Sequence, residues 1–486
     1  MSAPVTIRDL MTDSDLFGQQ FGVDSWSAWR ALLAAFYGLQ LSKAEQGVVE
    51  ALTGRHAPPE AASEELWLVM GRRGGKSQAA GLLAVYEACF NDHRDKLSPG
   101  EVATVMVLAA DRKQAKVVFR YISGLLNGNP MLKRLIVRED KETIELNNRC
   151  VIEVTTASFR SVRGYTVAAV IADEIAFWRS DESANPDTEI LRALRPAMAT
   201  LRGKLIALSS PYSKRGALWN TYRRHFGKAS PVLVAQAPTL TMNPTLPDKL
   251  VADALEDDAS AAKAEYLAEF RDDLEQFITR EVVEAAVRTS PLELPFNRAH
   301  RYHAFVDPAG GGQDEFCIAI GHHEDEAIVV DVVRARRGTP AEIVAGYASL
   351  LASYRIKQVT GDKYAGSWPA DEFKKHGIDY HPSEQPKSGL YLDLLPALTS
   401  GRVELPPDTR LINQISGLER RTSRAGRDSI DHGPGGHDDR ANVVAGLVTT
   451  KHKSRYDLER LVNGDPVQRT ETSKPIAAIK AAGIPL

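Results

Sequence analysis

The run Gly71-Arg72-Arg73-Gly74-Gly75-Lys76-Ser77 sets two glycines, a lysine and a hydroxyl in succession. That order suits a polyphosphate. Gly74 and Gly75 let the backbone turn tightly, so its N–H groups face phosphate oxygens, and a following helix N-terminus adds partial positive charge. Lys76 can reach β and γ phosphates, and the Ser77 hydroxyl can ligate Mg²⁺. The strict pattern wants glycine five residues before Gly75, where this chain has Met70. A basic glycine-rich turn containing Gly-Lys-Ser by chance is the competing reading. The apolar run Leu66–Met70 before the loop and the apolar stretch Gln78–Phe90 after it favour a strand, a phosphate loop and a helix.

A phosphate loop needs acids on a neighbouring strand. Val167–Ala172 followed by Asp173-Glu174 supplies them at a strand end, where open parallel sheets bind ligands. Asp173 would hold Mg²⁺ directly or through water, and Glu174 would orient and polarise an attacking water. Arg163 and Arg72 are the candidates to meet charge developing on a γ-phosphate. Ser209-Ser210-Pro211 ends another apolar run, where small hydroxyl residues could sense hydrolysis or simply form a turn.

A second acidic set lies in the C-terminal half. Asp307 ends the run Tyr302–Val306, Asp362 follows Gln358–Gly361, and Asp438-Asp439 opens a helix carrying Val443, Val444 and Leu447. Converging carboxylates repel unless a cation joins them, so Mg²⁺ or Mn²⁺ is implied. Two such ions would activate water and stabilise the leaving oxygen of a phosphodiester. His437 is a candidate proton shuttle or positioning group. The arginines 420, 421, 424 and 427 suit a phosphate backbone, against the plainer reading of a solvated loop.

The elements that must position these residues read as α/β throughout. Residues 1–65 look helical, with candidates at Trp29–Tyr37 and Lys43–Leu52. Apolar runs at 66–70, 102–108, 167–172 and 205–208 alternate with helical stretches, as in a buried parallel sheet covered on both faces. This block is expected to close at residue 228. Residues 229–298 read as a joining region with one or two charged helices over Lys249–Asp273. A second, mixed sheet is expected over 299–452. It includes a hairpin whose polar turn is His322-His323-Glu324-Asp325-Glu326, a helix at Ala341–Tyr354 and a helix at Asp439–Thr450. Residues 453–486 read as a charged tail.

Composition narrows the class. At 43% hydrophobic and 25% charged, fibrous and wholly disordered chains are excluded. No apolar run approaches the roughly 18 residues of a membrane span. The first residues lack a basic region followed by an apolar stretch, and Cys89, Cys150 and Cys317 lie too far apart in sequence for a metal motif, so a reducing cytosolic setting is expected. The net charge of −3 does not demand a polyanion, but a local groove rather than the total decides nucleic-acid binding.

In this order of motifs the chain resembles the large terminase subunit of tailed bacteriophages. The matching residues are Arg72–Ser77, Ile171–Glu174, Ser209-Ser210-Pro211, Asn243-Pro244, Val306-Asp307 and Gly436–Arg440, spread over residues 40 to 450. The resemblance implies an N-terminal P-loop ATPase domain of parallel-sheet type and a C-terminal ribonuclease-H-like nuclease domain. Arg72 stands where that family often has a loop arginine, which accounts for Met70. Lys76, Ser77, Asp173 and Glu174 match its nucleotide and metal residues, Gly74 and Gly75 its loop, and Ser209-Ser210 its coupling motif. Arg163 matches a trans-acting arginine and Gln46 an adenine-contacting glutamine. Asp307, Asp362 and either Asp438 or Asp439 match its nuclease triad. The resemblance further implies ATP and Mg²⁺, double-stranded DNA, a small terminase subunit, and a ring, five subunits being expected, on the portal of a procapsid in the host cytoplasm. The rival readings are a helicase or repair-type ATPase with an accessory nuclease, and a nuclease-only or DNA-binding structural protein with a degenerate, inactive phosphate loop.

Overall fold

The computed structural model describes residues 4–158, 164–178, 186–308, 315–362, 368–422, 428–434 and 436–449. Eight strands form the first sheet: β1 (Glu65–Met70), β2 (Ala103–Ala109), β3 (Ile136–Glu139), β4 (Thr143–Leu146), β5 (Cys150–Thr156), β6 (Thr166–Asp173), β7 (Lys204–Ser209) and β8 (Val232–Ala237). Their order is β3-β4-β5-β2-β6-β7-β1-β8. From β5 to β8 every neighbouring pair is parallel. β1, β2, β6 and β7 are buried almost end to end, the pattern of strands covered on both faces. The helices Lys76–Cys89 and Arg112–Gly128 pack on one face, and Pro186–Met198 and Gly216–His225 on the other.

Two differences from the sequence reading have physical causes. The sheet does not close at residue 228, because β8 pairs in parallel with β1 along its whole length. Residues 136–156, read as no element, form an antiparallel hairpin and an inner strand. β4 and β5 alternate buried and half-buried positions, so they lack the continuous apolar signature of the inner strands.

The joining region folds as two helices, Asp248–Asp257 and Ala259–Tyr266, followed by β9 (Leu274–Gln276). The second sheet comprises β10 (Tyr302–Asp307), β11 (Phe316–Glu324), β12 (Ala327–Arg336), β13 (Gln358–Gly361), β14 (Asp379–Pro382) and β15 (Val403–Glu404), in the order β14-β13-β10-β11-β12-β15. The β10–β11–β12 meander is antiparallel and β13 joins β10 in parallel. The hairpin turn is shorter than the polar run suggested. His322, His323 and Glu324 remain paired in β11, and only Asp325 and Glu326 turn. β16 (Leu418–Thr422) and β17 (Asp428–His432) form a hairpin to which β9 adds, giving a three-stranded sheet.

The helix Asp439–Thr449 packs against β10 and β11 through a close approach at Gly446, where an added Cβ would lie 2.4 Å from the Phe305 ring. That ring is buried and has no room to retreat. Gly446→Ala is therefore expected to cost about 1–3 kcal/mol through overpacking. A thermal midpoint equal to that of the parent chain would contradict this packing.

Candidate functional site

The carboxyl ends of β1, β6, β7 and β8 converge on one cluster. Register sets Asp173 opposite Leu208, and Val69 opposite Ser209, so the acids, the serines and the glycine loop lie on one level. Lys76 begins the helix after the loop and is buried. Its Nζ lies 2.9 Å from Ser210 Oγ, 3.3 Å from the carbonyls of Met70 and Gly71, and 3.4 Å from Glu174 Oε1. Glu174 sits at φ 49°, in the left-handed region that non-glycine residues seldom occupy. That turn aims its carboxylate back across the sheet, where Oε2 accepts from the Ser210 N–H and the Ser209 hydroxyl, each at 3.2 Å. Asp173 is buried, and its Oδ1 accepts no hydrogen bond among the described residues. Burial, then the neighbouring Glu174 charge, pushes its pKa up to about 7 against the opposing pull of Lys76.

The loop is held from three sides. Gly75 adopts φ 92° with Trp26 and Trp29 against it, and Trp29 donates its indole N–H to Gly74 O at 2.8 Å. Thr239 donates to Arg72 O at 2.7 Å, and Asn243 donates to Arg73 O at 2.9 Å. Ser77 follows Lys76 in the first turn of the helix. The Arg72 guanidinium pairs with Glu265 at 3.0 Å. Gln46 is exposed on the helix Lys43–Thr53 and donates to Leu41 O, so the structure does not bring it to the loop through that bond. Arg163 lies outside the described residues, as do Arg424, Arg427 and the tail over 453–486.

A second cluster forms at the carboxyl ends of β10 and β13. Val306 is in register with Gly361, which sets Asp307 and Asp362 side by side. The helix Asp439–Thr449 brings its N-terminus to them, and Asn442, one turn on, donates to Asp307 Oδ2 at 2.8 Å. Burial pushes the Asp307 pKa up to about 7; the charges of Asp439, Asp362 and Asp438 add to this in that order, and among the described residues the Asn442 bond resists. Four carboxylates thus face one another electrostatically, an arrangement that calls for a cation.

Asp438 and Asp439 have different surroundings. Asp438 is buried, accepts from Tyr391 OH at 2.8 Å and pairs with Lys387 at 2.7 Å. Burial opposes the Lys387 charge, but Asp438 and Asp431 more than offset it and hold the ammonium above its ordinary range. His432 Nε2 lies 3.9 Å from Asp438 Oδ1, whereas His437, the expected shuttle, is exposed. Lys387, Tyr391 and His432 have no sequence signal near the acids. Asn442 did have one: it shares a helix face with Asp439 at a spacing of three.

Of the basic hairpin's arginines, Arg420 and Arg421 are engaged within the fold. Arg420 pairs with Asp428 across the hairpin through Nε at 2.9 Å, and Arg421 reaches Tyr212 OH at 3.4 Å. Buried Glu419 accepts from Tyr212 OH at 2.6 Å and pairs with Arg215. Tyr212 is two residues past Ser210, so the hairpin touches the segment leaving the first cluster.

Among the described residues no helix is long and apolar enough to cross a membrane. The chain matches no protein-family model and no curated protein. Among solved structures it is similar to the HK97 bacteriophage large terminase, with 16% identity over 87% of this chain and 99% of that one and a TM-score of 0.36. The large terminase nuclease of thermophilic phage G20c with bound magnesium is 18% identical over 35% of this chain and 97% of its own, with a TM-score of 0.31. The large terminase of another thermophilic bacteriophage, in complex with ADP, is 12% identical over 80% and 94%, with a TM-score of 0.36. The chain is therefore similar, over most of its length, to large terminases of bacteriophages.

Proposed function

We propose that this chain is a phage large terminase subunit: an ATP-driven translocase of double-stranded DNA joined to a metal-dependent endonuclease that cuts concatemeric DNA. The observation that carries the reading is the presence, in one chain, of two separate acidic centres, each at the carboxyl ends of its own sheet. The first centre fits a nucleotide and Mg²⁺, because Lys76 is preset at the loop and Asp173 Oδ1 is buried with no hydrogen-bond partner among the described residues. The second fits divalent ions, because four carboxylates face one another and, among the described residues, only Asn442 relieves Asp307.

Ser77 and Asp173 would hold the ion at the first centre, and Asp307, Asp362 and Asp439 those at the second. When bound, such ions neutralise phosphate charge, lower the pKa of water and stabilise a leaving oxygen. Lys76 binds the phosphates. Glu174 orients the attacking water and accepts its proton. Loss of the γ-phosphate alters the balance between Lys76, Glu174 and Ser210, and Ser209-Ser210 carries that change into Tyr212. At the second centre Asn442 orients Asp307, while Lys387 and Tyr391 hold Asp438 in place. This assigns Asp439 as the ligand and Asp438 as a positioning residue. Portal, small subunit and a five-membered ring belong to the same proposal.

The test is ATP turnover with and without duplex DNA, alongside plasmid cleavage in Mg²⁺. Duplex-stimulated turnover and double-strand cutting are expected. Unwinding of a forked duplex would favour the helicase reading instead.

The Tyr212–Glu419–Arg215 contact is the route by which the first centre reaches the hairpin of the second. Glu419→Gln keeps an acceptor for Tyr212 but removes the charge facing Arg215. It is expected to reduce DNA stimulation of ATP turnover at least about fivefold, the low end of ordinary coupling energies. Basal ATPase and cleavage should remain within about twofold. Unchanged stimulation would remove this contact from the coupling route.

A further inference from the structure

The acids of the second sheet occupy one end of its strands, and a different cluster occupies the other. His300 in the loop before β10, and His322 and Glu324 on β11, each bring one ligand atom within 4.8 Å of the others. His322 Nε2 lies 3.3 Å from Glu324 Oε1, and His300 Nε2 lies 3.9 Å from the same oxygen. The two imidazole rings are 4.0 Å apart, centroid to centroid. Behind them His322 Nδ1 is 2.7 Å from Asp331 Oδ2 on β12, and both side chains are at most 5% exposed.

Asp331 selects the tautomer. The Asp331 carboxylate at 2.7 Å accepts from the Nδ1–H, which leaves Nε2 facing His300 and Glu324. In the tautomer protonated at Nδ1, Nε2 offers its lone pair as a metal ligand on the side of the Glu324 carboxylate. Zinc bonds of about 2.0–2.1 Å in a tetrahedron separate neighbouring ligand atoms by about 3.3 Å. The observed 3.3 and 3.9 Å are closer to that spacing than to the roughly 2.9 Å of an N–H···O bond. Two imidazoles with one carboxylate suit zinc, and a carboxylate behind a ligating histidine is the usual orienting partner.

We propose that His300, His322 and Glu324 bind one zinc ion, with Asp331 orienting His322 and the fourth position open to water or an outside ligand. The site is distinct from the acidic centre. β10 pairs Tyr302 with His322 and Asp307 with Cys317, so five strand residues, about 17 Å, separate the two levels. The ion pins the loop carrying His300 to the tip of the β11–β12 hairpin, clamping the end of the joining region onto the sheet.

The experiment uses the full chain, stripped with a chelator and then titrated with zinc against a chromophoric zinc chelator. The Asp307→Asn chain is measured in parallel to account for ions at the acidic centre. Cobalt(II) absorption reports the ligand geometry. One tight equivalent of zinc is expected in both chains, with intense visible cobalt bands of a four-coordinate nitrogen and oxygen site. His300→Ala with Glu324→Gln should weaken zinc at least about a hundredfold and abolish those bands, and Asp331→Asn should weaken it about 10–100-fold. Glu324→Gln alone, at a largely exposed position, serves if the double variant folds poorly. A parent chain that takes no zinc from the competing chelator overturns the proposal, as does equal uptake by parent and Glu324 variants. In either case a metal-free imidazolium bridging Asp331 and Glu324 would account for the cluster.

Discussion

Glu174→Gln is expected to lower ATP turnover roughly 10²–10⁴-fold, the usual contribution of a positioned general base, while magnesium-dependent DNA cleavage persists. The substitution is nearly isosteric, and an amide oxygen can still accept from Ser209 and the Ser210 N–H. What disappears is the negative charge 3.4 Å from Lys76 and adjacent to Asp173. Lys76 keeps its bonds to Ser210, Met70 and Gly71, so the loop should stay formed. Asp173 loses a like charge that raises its pKa and so ionises more readily, which favours metal and nucleotide binding. The expected signature is thus a collapse of kcat with nucleotide affinity preserved or improved. Turnover within tenfold of the parent would remove Glu174 from its assigned role. Joint loss of ATPase and cleavage in a folded variant would undermine the assignment of two independent centres.

The second large effect is expected at Asp307. Asp307→Asn should reduce cleavage about a thousandfold, as loss of several kcal/mol of metal-derived stabilisation implies, and leave ATP turnover intact. The same variant carries a stability signature. In the folded chain Asp307 titrates at about 7, against an ordinary carboxyl value near 3.8. Below about pH 4 the group is protonated in both folded and unfolded chains and costs nothing. Between about pH 4 and 7 the unfolded chain ionises first, so metal-free stability falls as pH rises. Above about pH 7 the full penalty remains, of the order of a few kcal/mol at about 1.4 kcal/mol per unit. Metal-free Asp307→Asn should accordingly be more stable than the parent at pH 7 and lose that advantage near pH 4. Saturating Mg²⁺ should narrow the gap at pH 7, because the ion stabilises the parent by mass action. A stability difference independent of pH and of Mg²⁺ would mean that Asp307 does not sit among ionised neighbours.

Much of this architecture was legible in the chain itself because it is locally encoded. Leu66–Met70 and Val167–Ala172 are continuous apolar runs, and the residues after them stand at strand ends whatever the tertiary detail. Lys76 and Ser77 follow two glycines within one loop, so their joint placement needs no long-range contact. The hairpin β3–β4 is not legible in the sequence because β3 buries no residue fully and β4 only alternate ones, so strands of four residues carry too few apolar positions to stand out. The sequence makes the turn at Asp325 and Glu326 look longer than it is, because the polar His322 and Glu324 resemble loop residues. Only the partner across the hairpin, Asp331, explains why a histidine there is buried in a strand.

From the order of residues alone came the two α/β layers, the loop lysine, the paired acids of the first centre and the aspartates of the second. Each depends on periodicity or on neighbours a few positions apart. Packing alone decided that Asp438 turns to Lys387 and Tyr391 while Asp439 and Asn442 accompany Asp307, and that Glu419 grips Tyr212 and Arg215. Those partners lie from tens to more than two hundred positions apart. Which of two adjacent aspartates faces an ion depends on how a helix is rotated against a sheet, and that rotation is fixed by side chains gathered from the whole domain, Gly446 against Phe305 among them.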